Sequence, residues 1–372
     1  MEFSLNRLDL LEPLSKVVGV LEKRQTLPIL SHVLLNVQRD QVVITGSDQE
    51  VQLEAVIDAS ADGVDVVAEG LCAVPGRKLL EIVRHLPAES VLQFKQTDQH
   101  VVLLSGAFES QFSMLPPEDF PRFETSDVDV CSVDLPGADL KAMLSKTMFA
   151  MAHQDVRYFF NGMLLELDDG LLRLVATNGQ RLATVEQVLL SRVEVVSRPV
   201  VPRKGILELA KLLDDAVGDI VILISDNALE TQFGCFRFTT KLIDGDYPDY
   251  NKAIPGGGDK VFECNRKQLR DALIRTSVMS NEVYKNVKLS LTSNRLTLFT
   301  NNPLLEQAEE VVGVSYSGEA IEIGFNVNFL IEALSVMGGE RVHVELSGET
   351  SPCLITDPQD SGAKFVVSPM II

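Results

Sequence analysis

Residues 148–183, MFAMAHQDVRYFFNGMLLELDDGLLRLVATNGQRLA, decide the fold because their pattern occurs three times in a chain of 372 residues. Leu165 and Leu174 lie in two apolar runs that flank Asp168-Asp169-Gly170, which predicts two strands joined by a tight turn. The same pair of apolar positions, nine residues apart, occurs in two further places: Leu35 with Ile44, and Leu289 with Leu298. Internal repetition is therefore the first prediction from the sequence.

Two further patterns flank each copy of the hairpin, and both predict a strand that leads into an amphipathic helix. The pattern before the hairpin consists of Phe3, Leu10 and Leu14 in the first copy, Val133, Leu140 and Leu144 in the second, and Phe262, Leu269 and Leu273 in the third. The pattern after it consists of Val74 with 80–82, Val201 with 207–209, and Phe325 with 331–333. We therefore expect an α+β protein of three similar domains, 1–126, 127–254 and 255–372, each with two helices on one face and sheets outside.

The composition is that of a soluble globular protein, with 45% hydrophobic and 23% charged residues. Residues 1–10 lack a basic segment followed by an apolar run, and no window of about 18 residues is free of charged or turn residues, so we expect a cytoplasmic protein without a membrane segment. The cysteines have no CxxC spacing and lie mostly in apolar runs, which predicts buried thiols. They are Cys72, Cys131, Cys235, Cys264 and Cys353.

The net charge of −20 is distributed unevenly along the chain. Six helix-like windows together contain 16 Lys or Arg and 10 Asp or Glu, a balance of +6, whereas the rest of the chain contains 17 basic and 43 acidic residues. The windows are 6–24, 75–86, 138–148, 202–215, 265–278 and 325–337. A surface formed by these helices would face phosphate groups while the remaining surface repels them. In the alternative interpretation, Lys and Arg are frequent in these windows only because they are good helix formers. Glu is an equally good helix former but is scarce there.

The sequence contains none of the motifs GxxxxGK[ST], GxGxxG, HExxH or GxSxG. The histidines are dispersed without metal-ligand spacing: His32, His85, His100, His153 and His343. We therefore expect no catalytic residue, no metal and no cofactor. Three hypotheses remain open: a ring that encircles nucleic acid, a protein-binding repeat scaffold without DNA encirclement, and an enzyme whose site lies between repeats. The charge on the helices favours the first over the second, and a cofactor motif would have supported the third.

Motifs spread over the whole chain resemble the bacterial DNA polymerase III β subunit, the sliding clamp family. They are TLPIL at 26–30, MAHQDVRY at 151–158, VPRKG at 201–205, YPDY at 247–250, SNE at 280–282, YSG at 316–318, IGFNV at 323–327 and PM at 369–370. The resemblance implies the DNA clamp fold, in which a head-to-tail homodimer closes a six-domain ring with helices lining the hole. It implies a non-catalytic processivity factor of the DNA polymerase III holoenzyme. Such a factor encircles double-stranded DNA without sequence preference and binds the replicative polymerase, the clamp loader and other proteins with a clamp-binding motif.

The size of such a ring fits a duplex only if two chains form it. Twelve helices of roughly 10 Å diameter, laid side by side, give a circumference of about 120 Å and a free hole of about 28 Å. Six helices would leave a hole of about 9 Å, whereas two groove depths of the duplex already sum to roughly 16 Å. The geometry therefore requires a dimer.

The resemblance also implies roles for individual residues. Contacts with DNA are expected from Arg24, Gln154, Tyr158 and Phe159, and a position near phosphates from Arg77, Arg203 and Lys204. The cleft for partner peptides matches Thr177, Gly179, Arg181, Leu182, Pro248, Val366, Pro369 and Met370. The dimer interface matches Phe112 and Met114 on one side and Val278 and Met279 on the other, with Lys78 and Glu306 at its rim. A solvated helix charge or ordinary packing is the alternative at each position.

The chain departs from the family pattern at several of these sites. Phe159 replaces a common Tyr, and five residues in or near the cleft differ from the usual ones: Asn178, Gln180, Ala253, Ser368 and Ile371. The difference at Phe159 removes a hydroxyl from a predicted DNA contact, and the other five concern the shape of the cleft and its affinity for partners. We expect Val366, Pro369 and Met370 to form one wall of an apolar groove, because an apolar chain segment on an acidic protein favours docking.

Overall fold

The computed structural model of the chain describes residues 1–21, 27–59, 63–123, 131–189, 196–214 and 218–371. Arg24, a predicted DNA contact, lies outside these residues. The helices are α1 (Arg7–Val20), α2 (Gly76–His85), α3 (Gly137–Thr147), α4 (Arg203–Leu212), α5 (Arg266–Ser277) and α6 (Val327–Val336). The strands of the first repeat are β1 (Glu2–Asn6), β2 (His32–Val37), β3 (Gln41–Ser47), β4 (Val51–Asp58), β5 (Asp65–Ala68), β6 (Gly70–Pro75), β7 (Val91–Gln96), β8 (His100–Ser105) and β9 (Phe108–Ser113).

The strands of the second repeat are β10 (Cys131–Pro136), β11 (Gly162–Asp168), β12 (Leu171–Thr177), β13 (Arg181–Val188), β14 (Val200–Pro202), β15 (Asp219–Ile224), β16 (Ala228–Phe233) and β17 (Phe236–Lys241). Those of the third are β18 (Lys260–Asn265), β19 (Asn286–Thr292), β20 (Arg295–Asn301), β21 (Gln307–Gly313), β22 (Ile321–Asn326), β23 (Arg341–Leu346), β24 (Cys353–Asp357) and β25 (Asp360–Val367). A unit of one strand, one helix and three strands thus occurs twice in each repeat. The short strand β5 is an addition that the sequence pattern did not predict.

The repeated hairpin is confirmed in all three copies, because its marked positions lie directly opposite each other. The opposed pairs are Leu35 with Ile44, Leu165 with Leu174, and Leu289 with Leu298. Asp169 and Gly170 have φ angles of 43° and 80°, as a two-residue turn between twisted strands requires. The spacing of nine residues therefore records a cross-strand pair.

Within a repeat, the first strand of each strand–helix–three-strand unit pairs with the second strand of the other unit. Between repeats, the last strands of such units pair with each other. In repeat one, β1 pairs with β7 and β6 pairs with β2. Between repeats, β4 pairs with β17 and β13 pairs with β25. Two eight-stranded sheets result, beside a five-stranded sheet β5-β1-β7-β8-β9 and a four-stranded sheet β21-β20-β19-β22.

The chain divides into two compact units. Unit 1 consists of Met1–Ala138 with Leu207–Leu242, and unit 2 of Asp139–Ile206 with Ile243–Ile372. The second repeat is shared between them, because β15 to β17 extend a sheet of repeat one whereas β11 to β13 extend a sheet of repeat three. The boundaries 1–126, 127–254 and 255–372 therefore describe sequence repeats, and as domain limits they stay a prediction.

The predicted core positions are buried in strands and helices of every repeat. Phe3 stacks on Phe94 with 4.7 Å between the ring centroids, and the marked leucines of α1 are at most 2% exposed. Four of the cysteines are buried as expected, but Cys235 is exposed. It follows Gly234 in the turn between β16 and β17, where φ of 53° at the glycine marks a tight bend rather than a core strand.

The helices lie where the charge-bearing windows predicted them, and their first-turn arginines bind neighbouring helix ends. Arg7, at the start of α1, donates to the main-chain carbonyls of Val83 and Arg84 at 2.7 and 2.9 Å. Arg77, at the start of α2, donates to the carbonyl of Leu21. Since the last carbonyls of a helix have no partner within it, α1 and α2 satisfy each other's ends.

The same arrangement recurs in the later repeats. Arg266, at the start of α5, donates to the carbonyls of Leu334 and Gly339 at 2.8 and 2.6 Å, which lie at and just beyond the end of α6. Arg203, at the start of α4, donates to the carbonyl of Met151 at 3.3 Å. Four cations counted in the helix windows thus have main-chain partners.

Candidate functional site

A cavity of about 270 Å³ lies in unit 2, at the place where β13 and β25 pair. Leu182 and Val366 are directly opposite each other in these strands, and each is only 4% exposed. Tyr247 and Tyr250 bring two aromatic rings from the segment that follows β17. The lining residues are Phe160, Thr177, Gly179, Gln180, Arg181, Leu182, Tyr247, Pro248, Asp249, Tyr250, Lys252, Ala253, Pro255, Pro352, Val366 and Ser368.

Six of the eight predicted cleft residues line this one cavity: Thr177, Gly179, Arg181, Leu182, Pro248 and Val366. Pro369 and Met370 are not among its lining residues. The Met370 amide donates to the carbonyl of Gly324 at 2.8 Å, so the chain pairs with β22 there, and Met370 lines a separate depression with Tyr284 and Asn302. Ser368, whose amide donates to the carbonyl of Gln180 at 2.8 Å, is the last residue of the chain in the cavity lining.

The loop between β12 and β13 forms one edge of the cavity and is held by its own side chains. The Asn178 side-chain oxygen accepts hydrogen bonds from the amides of Gln180 and Arg181, both at 3.0 Å. Thr177 donates to the Arg181 carbonyl at 2.6 Å and accepts from the Gly179 amide at 3.0 Å. Asn and Asp share the oxygen that closes such a turn, so the departure at Asn178 preserves the loop.

Arg157 lies against this loop, although the sequence analysis gave it no role. Its guanidinium donates to the Asn178 carbonyl at 3.2 Å and lies 4.6 Å from the ring centroid of Phe160, which lines the cavity. Gly179 has a φ of 85°, and a Cβ there would lie 2.9 Å from the guanidinium. Hydrogen bonds from Arg157 lower the pKa of Asp155 to about 2. Arg157 lies within the MAHQDVRY motif at 151–158 that carries the family resemblance, and this motif is the signal in the sequence that points to it.

Arg181 is the most enclosed cation of the cavity lining. Its guanidinium donates to the Phe149 carbonyl at 2.5 Å, lies 4.5 Å from the ring centroid of Phe329 and forms an ion pair with Glu332 on α6. The side chain is 12% exposed. These contacts fix a cation beside an apolar cavity, where it can meet an acidic or carbonyl group of a ligand.

A buried polar network holds Tyr250 in the cavity wall. Its hydroxyl donates to Glu166 and accepts from Arg173 at 3.1 Å, and Arg173 donates to Glu166 at 2.7 Å. Burial alone would raise the pKa of Glu166, but the hydrogen bonds from Tyr250 and Arg173 outweigh burial and lower it. Burial and the bond to Glu166 raise the pKa of Tyr250 to about 12. The segment carrying the YPDY motif is therefore tied to the sheet of β11 and β12.

The departures from the family pattern fall into two groups. Gln180, Ala253 and Ser368 line the cavity, so they change its surface directly. Asn178 serves its own loop, and Ile371 is fully exposed and lines the depression beside Tyr284.

The predicted DNA contacts that the structure describes differ in exposure. Gln154 is exposed with a φ of 56°, and Tyr158 is 55% exposed. Phe159 is half-buried and packs edge-on against Phe160, with 4.7 Å between the ring centroids. Arg203 and Lys204 are half-buried, and Arg77 is exposed although its guanidinium binds a helix end. Binding of a main-chain carbonyl is thus a role for Arg77 and Arg203 that spacing along the chain does not indicate.

The predicted dimer residues lie at strand edges and at a helix end. Phe112 belongs to the edge strand β9 and is 5% exposed, and Met114 follows that strand. Val278 and Met279 follow α5 and are 74% and 36% exposed. Lys78 and Glu306 are exposed, the first on α2 and the second just before β21.

The described residues also bear on metal and membrane binding. No three His, Cys, Asp or Glu side chains among them are grouped so as to hold a metal ion. In the same part of the chain, each helix is too short or too polar to cross a membrane.

Comparison with known proteins covers the chain from end to end. Family models of the DNA polymerase III beta subunit match residues 1–124 with the N-terminal domain, 134–249 with the central domain and 251–371 with the C-terminal domain. The beta sliding clamps of Pseudomonas putida and Escherichia coli (strain K12) are 40% and 37% identical over 370 residues, with 100% of both chains covered. A crystal structure of the DNA polymerase sliding clamp from Pseudomonas aeruginosa matches at a TM-score of 0.96 with 40% identity and full coverage of both chains. The chain therefore belongs to the β sliding clamps, the family of the DNA polymerase III β subunit.

Proposed function

We propose that two copies of this chain close head to tail into a ring around duplex DNA and hold a polymerase there through the cavity of unit 2. Membership of the family makes the chain a sliding clamp, a non-catalytic processivity factor rather than an enzyme. The proposal adds the dimer, its contacts with DNA and its partners, and a place of action in the cytoplasm. The observation that carries it is the rule by which sheets join between repeats.

The two joints inside the chain follow one register. Each repeat consists of two strand–helix–three-strand units, called here its first and second half. The last strand of the first half of one repeat pairs with the last strand of the second half of the next repeat, as β4 does with β17 and β13 with β25. Leu53 lies opposite Phe238 in the first joint, and Ala183 lies opposite Phe365 in the second. These pairs occupy equivalent positions, because Leu53 and Ala183 face equivalent residues of β3 and β12.

The chain contains both strands of a third joint of this kind, but these two strands do not pair with each other within one copy. Among the described strands, β9 and β21 are the two last strands without an outer neighbour. The strand β9 ends the second half of repeat one, and β21 ends the first half of repeat three. The rule therefore pairs β21 of one copy with β9 of another. Unpaired edges of this length are otherwise sites of uncontrolled association. Two copies joined twice in this way close a ring of six repeats.

The rule also gives the register of the joint between copies. Ala308 is equivalent to Leu53 and Ala183 through its pairing with β20, and Ser110 is equivalent to Phe238 and Phe365 through its pairing with β8. Ser110 is therefore expected opposite Ala308. This register brings Phe112 next to Glu306, and it brings Met114 next to Leu304, which is 79% exposed. Leu304 and Leu305 join the predicted interface residues Lys78, Phe112, Met114, Val278, Met279 and Glu306.

Cysteine cross-linking tests the dimer and its register together. In a Cys235→Ser background, Ser110→Cys combined with Ala308→Cys is expected to give a covalent dimer under mild oxidation, because directly opposed Cβ atoms lie about 5 Å apart. Ser110→Cys combined with Gln307→Cys is the control, since neighbouring residues of a strand point to opposite faces. Equal cross-linking of both variants, or of neither, would contradict the proposed joint.

The contacts with DNA are proposed to be weak and independent of base sequence. Sliding requires contacts with phosphates, and these carry no sequence information. Gln154, Tyr158 and Lys204, with Phe159 beside them, are the candidates among the described residues, and Arg24 is proposed from the sequence alone. Arg77 and Arg203 act on DNA only as secondary charges, since their guanidinium groups bind main-chain carbonyls.

The cavity of unit 2 is proposed as the docking site of the polymerase, the clamp loader and other partners. An apolar lining with Leu182 and Val366, closed by two tyrosines and edged by Arg181, suits a short peptide with leucine and phenylalanine anchors. A protein-binding scaffold without DNA encirclement is the second candidate function, which the same cavity supports. It predicts peptide binding by a protein that forms no covalent dimer in the cross-linking experiment.

A further inference from the structure

We infer that the joint between copies carries a repulsive pair of carboxylates, Glu109 opposite Glu309, which makes the closed dimer tighten with salt and with falling pH. The inference rests on the proposed dimer and its register. It concerns how firmly the ring closes, which membership of the family does not determine.

The register derived from the internal joints identifies the pair. With Ser110 opposite Ala308, the next residues along the antiparallel strands are Glu109 and Glu309. The equivalent pair in the first internal joint is Glu54 opposite Arg237, with 3.8 Å between their charged groups. In the second internal joint it is Thr184 opposite Lys364. The same position therefore holds an ion pair in the first internal joint and a neutral residue opposite a cation in the second. In the joint between copies it holds two like charges.

No cation directly adjacent to the pair offsets the repulsion in the proposed register. On β9, the residues on either side of Glu109 on the same face are uncharged, and on β21 the corresponding neighbours of Glu309 are Gln307 and Val311. Glu310 points to the other face, where it binds Arg275 of α5 at 2.5 Å. Opposed Cβ atoms in such a joint lie about 5 Å apart, where like charges destabilise strand pairing.

The charged and titratable groups on the same face of the strands beside the joint are more distant. They are His100 on β8, Lys95 on β7, Glu2 on β1, Asp65 on β5, Arg295 on β20, Lys288 on β19 and Glu322 on β22. Lys95 pairs with Glu2 at 3.5 Å, and Lys288 binds Glu322 at 3.2 Å. Each lysine lies two strands from its edge, a strand spacing of roughly 10 Å, and its ammonium group is already paired with a carboxylate of its own sheet.

The direction of the pH effect follows from the repulsion. Two carboxylates repel each other only while both are ionised. Protonation of either one in acid removes the repulsion, so a fall in pH into the acid range tightens the dimer. Added salt screens the repulsion and therefore tightens the dimer.

Charge reversal separates this pair from a general effect of net charge. Glu109→Lys and Glu309→Lys each place opposite charges in both joints of the ring, so each is expected to lower the dimer dissociation constant by roughly 4-fold or more. The double variant restores a like-charged pair and is expected to return to the wild-type value. Glu349→Lys, at an exposed position between β23 and β24, is the control for net charge.

The measurement is sedimentation equilibrium with subunit exchange, at pH 7.5 in 50 and 300 mM salt. The wild-type dimer should exchange subunits more slowly at 300 mM than at 50 mM salt. Each single variant should exchange faster at 300 mM than at 50 mM, because salt screens its attractive pair. A double variant as tight as the singles, or singles no tighter than Glu349→Lys, would overturn the inference while leaving the dimer in place. A wild-type protein that stays monomeric under all conditions would instead refute the proposed function. Glu309→Gln, which removes one charge without adding another, should lie between wild type and Glu309→Lys.

Discussion

Gly179 shows at the scale of single residues how a backbone angle shapes the cavity. Its φ of 85° belongs to a region that side chains rarely occupy, and the space beside it is filled by Arg157. Glycine is therefore the favoured residue at this position, because any side chain would adopt an unfavourable φ and press against Arg157. A partner peptide that enters the cavity meets a wall whose shape depends on this contact.

Replacing Gly179 is expected to weaken peptide binding more than it weakens the fold. Gly179→Ala should cost about 1–2 kcal/mol of unfolding free energy for the unfavourable φ, and its Cβ, 2.9 Å from the guanidinium, must also displace Arg157. Gly170→Ala is the matched control, because Gly170 has a φ of 80° with nothing within 4 Å of the added Cβ. Urea denaturation should show a loss for both variants that is at least as large for Gly179→Ala, whereas calorimetric titration with a leucine- and phenylalanine-bearing peptide should detect weaker binding only for Gly179→Ala.

The network of Glu166 should make unfolding of unit 2 sensitive to acid. Hydrogen bonds hold the pKa of Glu166 below its ordinary value despite burial, so the contribution of this group is present above the ordinary carboxyl pKa and is lost as the pH falls through the lowered one. Glu166→Gln should therefore reduce the unfolding free energy at pH 7 by roughly 1–3 kcal/mol and by less at pH 3. Urea titrations at both pH values measure the difference. A reduction that is equal at pH 7 and pH 3 would assign the loss to packing instead.

Residue roles were predictable from the sequence only where they depend on local chemistry. The Asp168-Asp169-Gly170 turn was predicted from adjacent residues. Matching motifs singled out the residues of the β12–β13 loop that line the cavity, and their role in partner binding stays a prediction. The roles of Arg157 and Arg77 were missed because their partners, the Asn178 carbonyl and the Leu21 carbonyl, are distant in sequence. Spacing along the chain contains no information about such contacts.

Reciprocal capping defines the helix pair of the first repeat at the scale of elements. The arginines at the starts of α1 and α2 satisfy the carbonyl end of the opposite helix. Part of the positive charge that suggested a phosphate-facing surface therefore stabilises the fold. Periodicity predicted the helices to within a few residues, but it did not reveal which of their cations bind the protein itself.

Substitution of two adjacent cations on α2 separates these roles. Arg77→Ala removes a bond to the Leu21 carbonyl and should lower the unfolding free energy by about 1–3 kcal/mol, since the hydrogen bond is charge-assisted. Lys78→Ala removes the same charge from an exposed neighbour and should change stability by less than about 0.5 kcal/mol. Thermal and urea denaturation of both variants provide the comparison. Equal stability of the two variants would mean that the Arg77 guanidinium is available to phosphate groups.

At the scale of the whole molecule, the repeats fix how many edges remain for another copy. Among the described strands that end a unit, the joints between consecutive repeats leave β21 and β9 without an outer neighbour. The dimer was expected from the family resemblance and the size of a DNA duplex, and it stays a prediction. The sequence itself predicted the repeats, because the template spacing is contained in it. It did not predict the register of the joints, since strand pairing between repeats is a non-local property that appears only when the sheets are assembled.

Retention on DNA tests the ring most directly. The purified protein, loaded onto a nicked circular plasmid by a bacterial clamp loader and then freed of loader at high salt, should remain on the circle. Cutting the plasmid once should release it within the time needed to slide to an end, because weak phosphate contacts alone do not hold it at high salt. Gel filtration of labelled protein before and after the cut measures both states. Equal retention on circular and linear DNA would contradict encirclement.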